Sequence, residues 1–414
     1  MDAIRFRTVG PHLAGMMFLQ YFGLGAWVVS LSRYLGTPLA AGGLGVGPSD
    51  VGWVYMALPI GAILAPLLVG PLADRYFAAE KLLGVMQFIM AALLAGAGWW
   101  CERAAAQVPG TSQTTFFVLM VAYGIICQPT LTLTNVIALR KLPKPTTQFS
   151  KVRLIGTFGW IVAGYAVAWG MNPMSPMPLY LAAATALVQG FASFTLPHTP
   201  PRGKGRSTAE IIGLPSIRMF RDRSFVGFAI AAVIGNMMNQ FYVLYATRYL
   251  AEHGTTAPEA VLTLGQWCEI ACMAISPWLV VRFGLKPVML AGLLGWVLRM
   301  AVLTWGSPSW VVAIALPMHG FSYAFFGMLA SLFVDREAPA ELRAGAQSLV
   351  GFLSSGPSVL IGNWLAGRVG QAATTANGTD WSTIWLVPCV GCAIGALVFL
   401  LMFHEPPESR EFRN

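Results

Sequence analysis

The sequence predicts an all-α membrane protein with twelve transmembrane helices in two six-helix bundles, and three observations lead to this prediction. Of the 414 residues, 56% are hydrophobic and 10% are charged, and the mean hydropathy is +0.64, far above that of a typical soluble domain. Twelve nearly uncharged runs are long enough to cross a bilayer as helices. One long basic stretch separates the first six runs from the last six.

Each of these runs has the length that the hydrocarbon core requires of a helix, roughly 20 residues. The first run follows Arg5 and Arg7, as a signal peptide would, but its apolar stretch is too long and further spans follow directly, so we interpret it as a retained helix. The predicted spans are residues 11–35, 50–72, 79–100, 114–139, 150–171, 177–196, 224–250, 259–283, 286–305, 308–334, 342–370 and 381–403.

The basic residues predict the topology of these spans in the lipid bilayer. Most of the 26 Lys and Arg residues fall beside span ends on one side, whereas only Arg33, Arg103, Arg248 and Arg368 fall beside ends on the other side. Cytoplasmic loops carry such an excess. Both termini are therefore predicted to be cytoplasmic, and the net charge of +9 reflects topology and does not indicate a nucleic-acid partner.

Residues 197–223 are a long, basic stretch containing Pro and Gly between spans six and seven. This stretch predicts a division into an N-terminal six-helix bundle (1–196), a cytoplasmic linker (197–223) and a C-terminal six-helix bundle (224–414). Many secondary transporters are built from two such halves that move about a site near the bilayer midplane.

The sequence gives little support for an enzyme or a sensory receptor. The six cysteines lie in or beside apolar spans, and the CVGC motif at 389–392 is interpreted as helix packing rather than as a redox or metal pair. We find no HExxH, GxSxG or P-loop motif, and we expect no output domain in the short tail after Phe403. No cofactor and no metal site are predicted.

Polar side chains within the apolar spans form the candidate site, because such groups face a bundle interior or a wet cavity. Several pairs share a helix face, being three or four residues apart. Single polar residues often only link helices, but the whole set describes a pocket for a neutral, ring-containing, hydroxyl-rich solute. The set comprises Gln20 in span one, Arg153, Thr157 and Trp160 in span five, Asn236 and Gln240 in span seven, Gln266 and Glu269 in span eight, and His319 and Tyr323 in span ten.

Glu269 is the candidate for proton coupling. A carboxylate in a low-dielectric span can bind and release a proton as its exposure or its partner changes; the alternative is a permanently paired structural Glu. Arg153 is open to a second interpretation, in which it extends to the cytoplasmic headgroups. His319 is either a titrating group or a hydrogen-bonded polar contact. The sequence does not assign a place to Arg299.

Two sets of motifs carry a family resemblance. GPLADR at 70–75 resembles the loop between helices two and three of the major facilitator superfamily, which makes Asp74 and Arg75 gate candidates, unless they are ordinary charged loop residues. The whole chain resembles the bacterial nucleoside:proton symporters of that superfamily. The matching segments are FLQYFGLGAW at 18–27, RLIGTFGW at 153–160, GQWCE at 265–269, RFGLKPVM at 282–289, WVLRMAVLTWG at 296–306, SLFVDREAPAELRAGAQ at 331–347 and TDWSTIWLVP at 379–388.

This resemblance implies nucleoside contacts from both halves of the chain. The positions that keep the expected chemistry are Arg153, Thr157, Gln240, Gln266 and Glu269; Trp160, His319 and Tyr323 stand at aromatic positions of the family pattern. Two departures stand out, because Val243 replaces a family Asn and Ala324 replaces a family Asp. The second departure removes a carboxylate beside Tyr323.

The sequence therefore predicts a monomeric secondary transporter of a bacterial inner membrane that imports nucleosides with protons by alternating access. The alternatives are a symporter for sugars or other small solutes on the same scaffold, and an uncoupled nucleoside carrier.

Overall fold

The computed structural model describes residues 2–68, 76–201, 208–307, 309–339, 341–376 and 378–404. It is almost entirely helical. The α-helices are α1 (Asp2–Val28), α2 (Leu31–Gly36), α3 (Pro48–Tyr55), α4 (Ala57–Leu68), α5 (Ala79–Ala105), α6 (Gln113–Lys141), α7 (Pro145–Gly170), α8 (Met177–Ser193), α9 (Thr208–Ile212), α10 (Arg223–Glu252), α11 (Pro258–Phe283), α12 (Leu285–Trp305), α13 (Ser309–Ala315), α14 (Met318–Ser322), α15 (Leu329–Glu337), α16 (Arg343–Ser355), α17 (Pro357–Ala373) and α18 (Trp381–Met402).

Within the described residues each predicted span is helical, and several spans consist of two or more helices. Eleven helical stretches among the described residues have the length and apolar composition to cross a membrane. The remaining predicted span corresponds to α8, which is apolar but has only 17 residues. Predicted span ten consists of α13, α14, a π-helical turn at Tyr323–Met328, and α15. The all-α membrane fold is confirmed, with one addition: a two-stranded antiparallel hairpin pairs β1 (Thr374–Thr375) with β2 (Gly378–Thr379).

The contacts divide the chain into two compact units. Unit 1 comprises residues 1–206 and 250–260, and unit 2 comprises residues 207–249 and 261–414. The short segment 250–260 thus groups with the first unit, although the sequence places it in the C-terminal half. In unit 1, Arg33 Nη1 donates a hydrogen bond of 3.1 Å to Oε1 of Glu259, whose side chain is only 1% exposed.

Helices of unit 1 approach closely where glycines remove side-chain bulk. A Cβ atom added to Gly61 of α4 would lie 2.1 Å from the carbonyl oxygen of Gly124 of α6, and one added to Gly159 of α7 would lie 2.4 Å from that of Phe18 of α1. Membrane helices use small residues in this way because lipid provides no hydrophobic force that drives helices together. The glycines of the RLIGTFGW segment therefore allow α7 to pack closely against α1.

Unit 2 has an aromatic core. Phe228 of α10, Phe326 of the π-helical turn, Phe333 of α15 and Phe399 of α18 are all fully buried, and their ring centroids form a connected set 4.8–6.0 Å apart. Rings at these distances gain attraction beyond the area that they bury. This core fixes the position of the broken helix of predicted span ten against its neighbours.

The predicted linker, 197–223, is more structured than a connecting stretch. Its described part contains α9 and a 3₁₀-helix at Leu214–Arg221, joined by Gly213. Gly213 has φ +80°, and an added Cβ would lie 1.9 Å from the carbonyl oxygen of Gly345. Only glycine fits both requirements without strain, so this residue fastens the linker to α16 in unit 2.

Candidate functional site

The amide groups of α10 and α11 form the first part of the candidate site in unit 2. On α10, Asn236 Nδ2 donates to the carbonyl oxygen of Ala232 at 2.9 Å, and Gln240 Nε2 donates to that of Asn236 at 3.1 Å. Both amides thus use one donor on their own helix and keep further hydrogen-bonding capacity. On α11, Gln266 is half-buried.

Glu269 is half-buried on α11, one turn from Gln266. The backbone of α11 at this point touches α14, because a Cβ added to Gly320 would lie 2.0 Å from the carbonyl oxygen of Gly265 and 2.2 Å from the nitrogen of Glu269. Such contact between backbones fixes the point from which the Glu269 side chain projects. The carboxylate therefore stands on a rigid crossing of two helices.

Arg299 of α12 lies at the centre of a polar cluster in unit 2 and is 0% exposed. Its Nη1 donates to Nδ1 of His319 at 2.8 Å, and its Nη2 donates to Oδ1 of Asn239 at 3.0 Å. Its guanidinium carbon lies 4.2 Å from the centroid of the Tyr242 ring, within the range of cation–π attraction. The cluster joins α10, α12 and α14.

His319 and Tyr323 lie where the helix of predicted span ten changes its winding. The His319 ring is stacked on Tyr242, with centroids 5.2 Å apart and an interplanar angle of 17°, and lies 6.4 Å from the Tyr323 ring at 24°. Tyr323 is 43% exposed and begins the π-helical turn. Turns of this kind are frequent at functional sites. The next residue, Ala324, is 0% exposed and belongs to the apolar core.

Unit 1 holds the other three residues that the resemblance assigns to substrate. The guanidinium carbon of Arg153 lies 4.0 Å from the centroid of the Tyr21 ring, so this cation lies over an aromatic face of α1. Thr157 and Trp160 are half-buried on the same helix. Trp160 packs on α1, since a Cβ added to Gly25 would lie 3.1 Å from its ring.

Gln20 has a different environment from the other candidates. Its side chain is buried, its Nε2 donates to Oγ1 of Thr130 at 2.9 Å, and its Oε1 accepts from Nε2 of Gln87 and from Nε2 of Gln189, both at 2.9 Å. These residues tie together α1, α5, α6 and α8. A satisfied buried network of this kind rigidifies a bundle, which favours a structural role for Gln20 over a substrate contact.

The Gln20→Leu variant separates these two roles. Leucine leaves the Nε2 donors of Gln87 and Gln189 without their acceptor, and each buried unpaired donor costs about 1–3 kcal/mol. We expect a lower unfolding temperature in detergent and an unchanged nucleoside affinity. A variant of normal thermal stability that no longer binds nucleosides would instead make Gln20 a substrate contact. Gln113→Leu, at the exposed first residue of α6, is the control.

The polar cluster contains three residues that are not among the candidates predicted from the sequence. Arg299, Asn239 and Tyr242 were not selected, although Arg299 shows the signal that drew attention to Glu269, a charge inside an apolar run. The gate candidates Asp74 and Arg75 lie outside the described residues. Asn236, Gln240, Gln266, Glu269, His319 and Tyr323 all belong to unit 2, and Arg153, Thr157 and Trp160 to unit 1.

The fold and these side chains define the class of protein. Apolar helices that carry amides, aromatic rings and a carboxylate, with a broken helix among them, are typical of transport sites near the bilayer midplane. The chain is thus a polytopic membrane transporter with the fold of the major facilitator superfamily. The fold is confirmed by two crystal structures: the nucleoside transporter NupG, with a TM-score of 0.83 at 24% identity over 96% of this chain and 100% of that one, and a D-xylose-proton symporter, with a TM-score of 0.71 at 16% identity over 98% and 99%.

Sequence comparison then identifies the family. The profile of the nucleoside H+ symporters matches residues 8–408, so the chain belongs to the nucleoside H+ symporter family, whose members are transporters and not enzymes. YegT of Escherichia coli (strain K12) is 34% identical over 95% of this chain and 93% of its own length. The xanthosine permease of the same organism is 28% identical over 96% and 97%, and its nucleoside permease NupG is 26% identical over 94% of each chain.

Proposed function

We propose that the protein imports nucleosides together with protons, by alternating access, across a bacterial inner membrane. The observation that carries the proposal is the half-buried Glu269 on a transmembrane helix of a chain that belongs to the nucleoside H+ symporter family. An ionisable group inside a membrane is costly and marks a pathway for ions or substrate. A carboxylate beside the substrate amides is suited to binding one proton in each transport cycle.

The polar side chains differ in the part of a nucleoside that each can contact. In unit 2, the amides of Gln240 and Gln266 can pair with the edges of a heterocyclic base, and the exposed ring of Tyr323 can stack on its face. In unit 1, the side chains of Arg153, Thr157 and Trp160 are the proposed substrate contacts. We further propose that both termini are cytoplasmic, that Asp74 and Arg75 act at a gate, and that the protein works as a monomer.

Uptake into proteoliposomes tests the proposal. Purified protein should accumulate labelled uridine when the vesicle interior is made alkaline, and a protonophore should abolish the accumulation. Unlabelled inosine should compete, whereas ribose, lactose and free bases should not. Uridine uptake that does not depend on the pH gradient would indicate an uncoupled carrier. Competition by lactose or ribose, without competition by inosine, would indicate a sugar symporter.

A further inference from the structure

The buried Arg299 determines the protonation state of its neighbour His319. A guanidinium has five N–H donors and no acceptor and stays protonated in proteins. The 2.8 Å contact between Arg299 Nη1 and His319 Nδ1 therefore requires that Nδ1 is an unprotonated acceptor. The imidazole must then be neutral and carry its proton on Nε2. A charged imidazolium would instead oppose an N–H group and a second positive charge in a buried place.

The rest of the cluster holds the imidazole ring in one orientation. Tyr242 stacks on the ring at 5.2 Å, and the space beside its Cβ is closed by α11, since a Cβ added to Gly265 would lie 3.2 Å from that atom. Asn239 Oδ1 accepts from Nη2 of Arg299 at 3.0 Å and so fixes the guanidinium as well. The direction of the Nε2–H bond is thus set by three helices.

This Nε2–H group is available to a ligand. Among the described residues, Nε2 of His319 has no hydrogen-bond partner, and this atom is not fully buried. His319 as a whole is half-buried. The edge of the ring that carries Nδ1 points to the buried Arg299, and Nε2 lies on the other side of the ring.

Ala324, the residue after Tyr323, provides no side-chain acceptor for the N–H group of His319. Ala324 is 0% exposed and apolar, where a carboxylate would add hydrogen-bond acceptors. Ala324 packs in the apolar core, so at these two positions only the imidazole N–H group is left to meet a ligand. A buried or half-buried donor that meets no acceptor is costly, so this N–H group suits an acceptor on the substrate.

We propose that Arg299 is a positioning residue that fixes His319 as a neutral Nε2–H donor, and that this donor selects nucleosides whose base carries a carbonyl oxygen at the position where adenine and cytosine carry their exocyclic amino group. The inference rests on the proposed function of the same site. It predicts that inosine binds more tightly than adenosine, and uridine more tightly than cytidine. One hydrogen bond gained or lost at such a site changes affinity by about tenfold.

The protonation state can be measured without any substitution in the site. Nitrogen NMR of protein labelled with ¹⁵N-histidine distinguishes the two neutral tautomers from the imidazolium, and the chain has only five histidines to assign. We expect His319 to be neutral with its proton on Nε2. A signal from a proton on Nδ1, or from the imidazolium, would overturn the inference.

Base selectivity tests the consequence, by competition of unlabelled nucleosides against labelled uridine. A glutamine side chain places its amide N–H group near the position of imidazole Nε2, so His319→Gln should keep the preference for inosine over adenosine and for uridine over cytidine. The amide of asparagine lies near the position of Nδ1 instead, so His319→Asn should lose this preference. Arg299→Lys, which still donates, should keep the preference, and Arg299→Met should lose it. An unchanged preference in His319→Asn, or no preference in the wild-type protein, contradicts the proposal. Absence of all nucleoside uptake by the wild-type protein would instead refute the proposed function.

Discussion

Replacing Glu269 with Gln is expected to abolish proton-driven accumulation of nucleosides while leaving exchange of bound for free nucleoside. Glutamine has nearly the same shape and still forms hydrogen bonds, but it cannot bind and release a proton. Because α11 and α14 touch through their backbones at Gly265 and Gly320, the substituted side chain projects from the same point as the carboxylate. Uptake of labelled uridine into proteoliposomes with an imposed pH gradient measures the first property, and counterflow without a gradient measures the second.

The matched control for this experiment is Glu102→Gln. Glu102 is an exposed carboxylate near the end of α5, so its neutral variant should accumulate uridine as the wild-type protein does. If the Glu269→Gln protein still concentrates uridine against its gradient, Glu269 is not the coupling group. If it neither accumulates nor exchanges nucleoside but remains folded, Glu269 is needed for binding itself.

The second large effect is expected from a single methyl group at Gly320. In Gly320→Ala the new Cβ would lie 2.0 Å from the carbonyl oxygen of Gly265 and 2.2 Å from the nitrogen of Glu269. Neither atom can move away without shifting a helix, since both belong to the backbone of α11. Overpacking typically costs about 1–3 kcal/mol, and a clash with backbone belongs at the upper end of that range. We expect a marked fall in unfolding temperature and loss of uptake, because the shift also displaces Glu269 and His319.

Gly351→Ala is the control for helix propensity. Gly351 lies within α16, and a Cβ added there would meet no atom within 4 Å. Alanine in the middle of a helix is more stable than glycine by roughly 0.5–1 kcal/mol, so this variant should unfold at the same temperature as the wild-type protein or slightly higher. Equal unfolding temperatures for Gly320→Ala and the wild-type protein would show that α11 and α14 are not in backbone contact.

The fold was predictable because the composition of each span reflects the environment in which that span lies. Hydrocarbon demands about 20 apolar residues for every helix that crosses it, and this demand can be read locally, without knowledge of the neighbouring helices. The breaks in the helices were not predictable in the same way. The run that contains His319 has the average hydropathy of a single membrane span, so hydropathy gives no sign that it divides into α13, α14, a π-helical turn and α15.

The candidate site was predictable only where a single residue is unusual in its span. Glu269 stands out as a charge in an apolar run, but the same signal at Arg299 did not reveal its role, because its partners come from two other helices. Gln20 shows the opposite case. Its polarity in a span is equally conspicuous, yet its three hydrogen bonds to Thr130, Gln87 and Gln189 depend on helix packing that the sequence does not display.

The π-helical turn at Tyr323–Met328 changes the phase of everything that follows it. An α-helix turns by about 100° per residue, and a single π turn takes up one additional residue. A helical wheel drawn through predicted span ten therefore assigns the side chains of α15 to faces about one residue's rotation away from where they point. Positions for spin labels or cysteine cross-links on Leu329–Glu337 must therefore be chosen from the structure. A relative one residue shorter in this span would retain the same lipid-facing surface on α15.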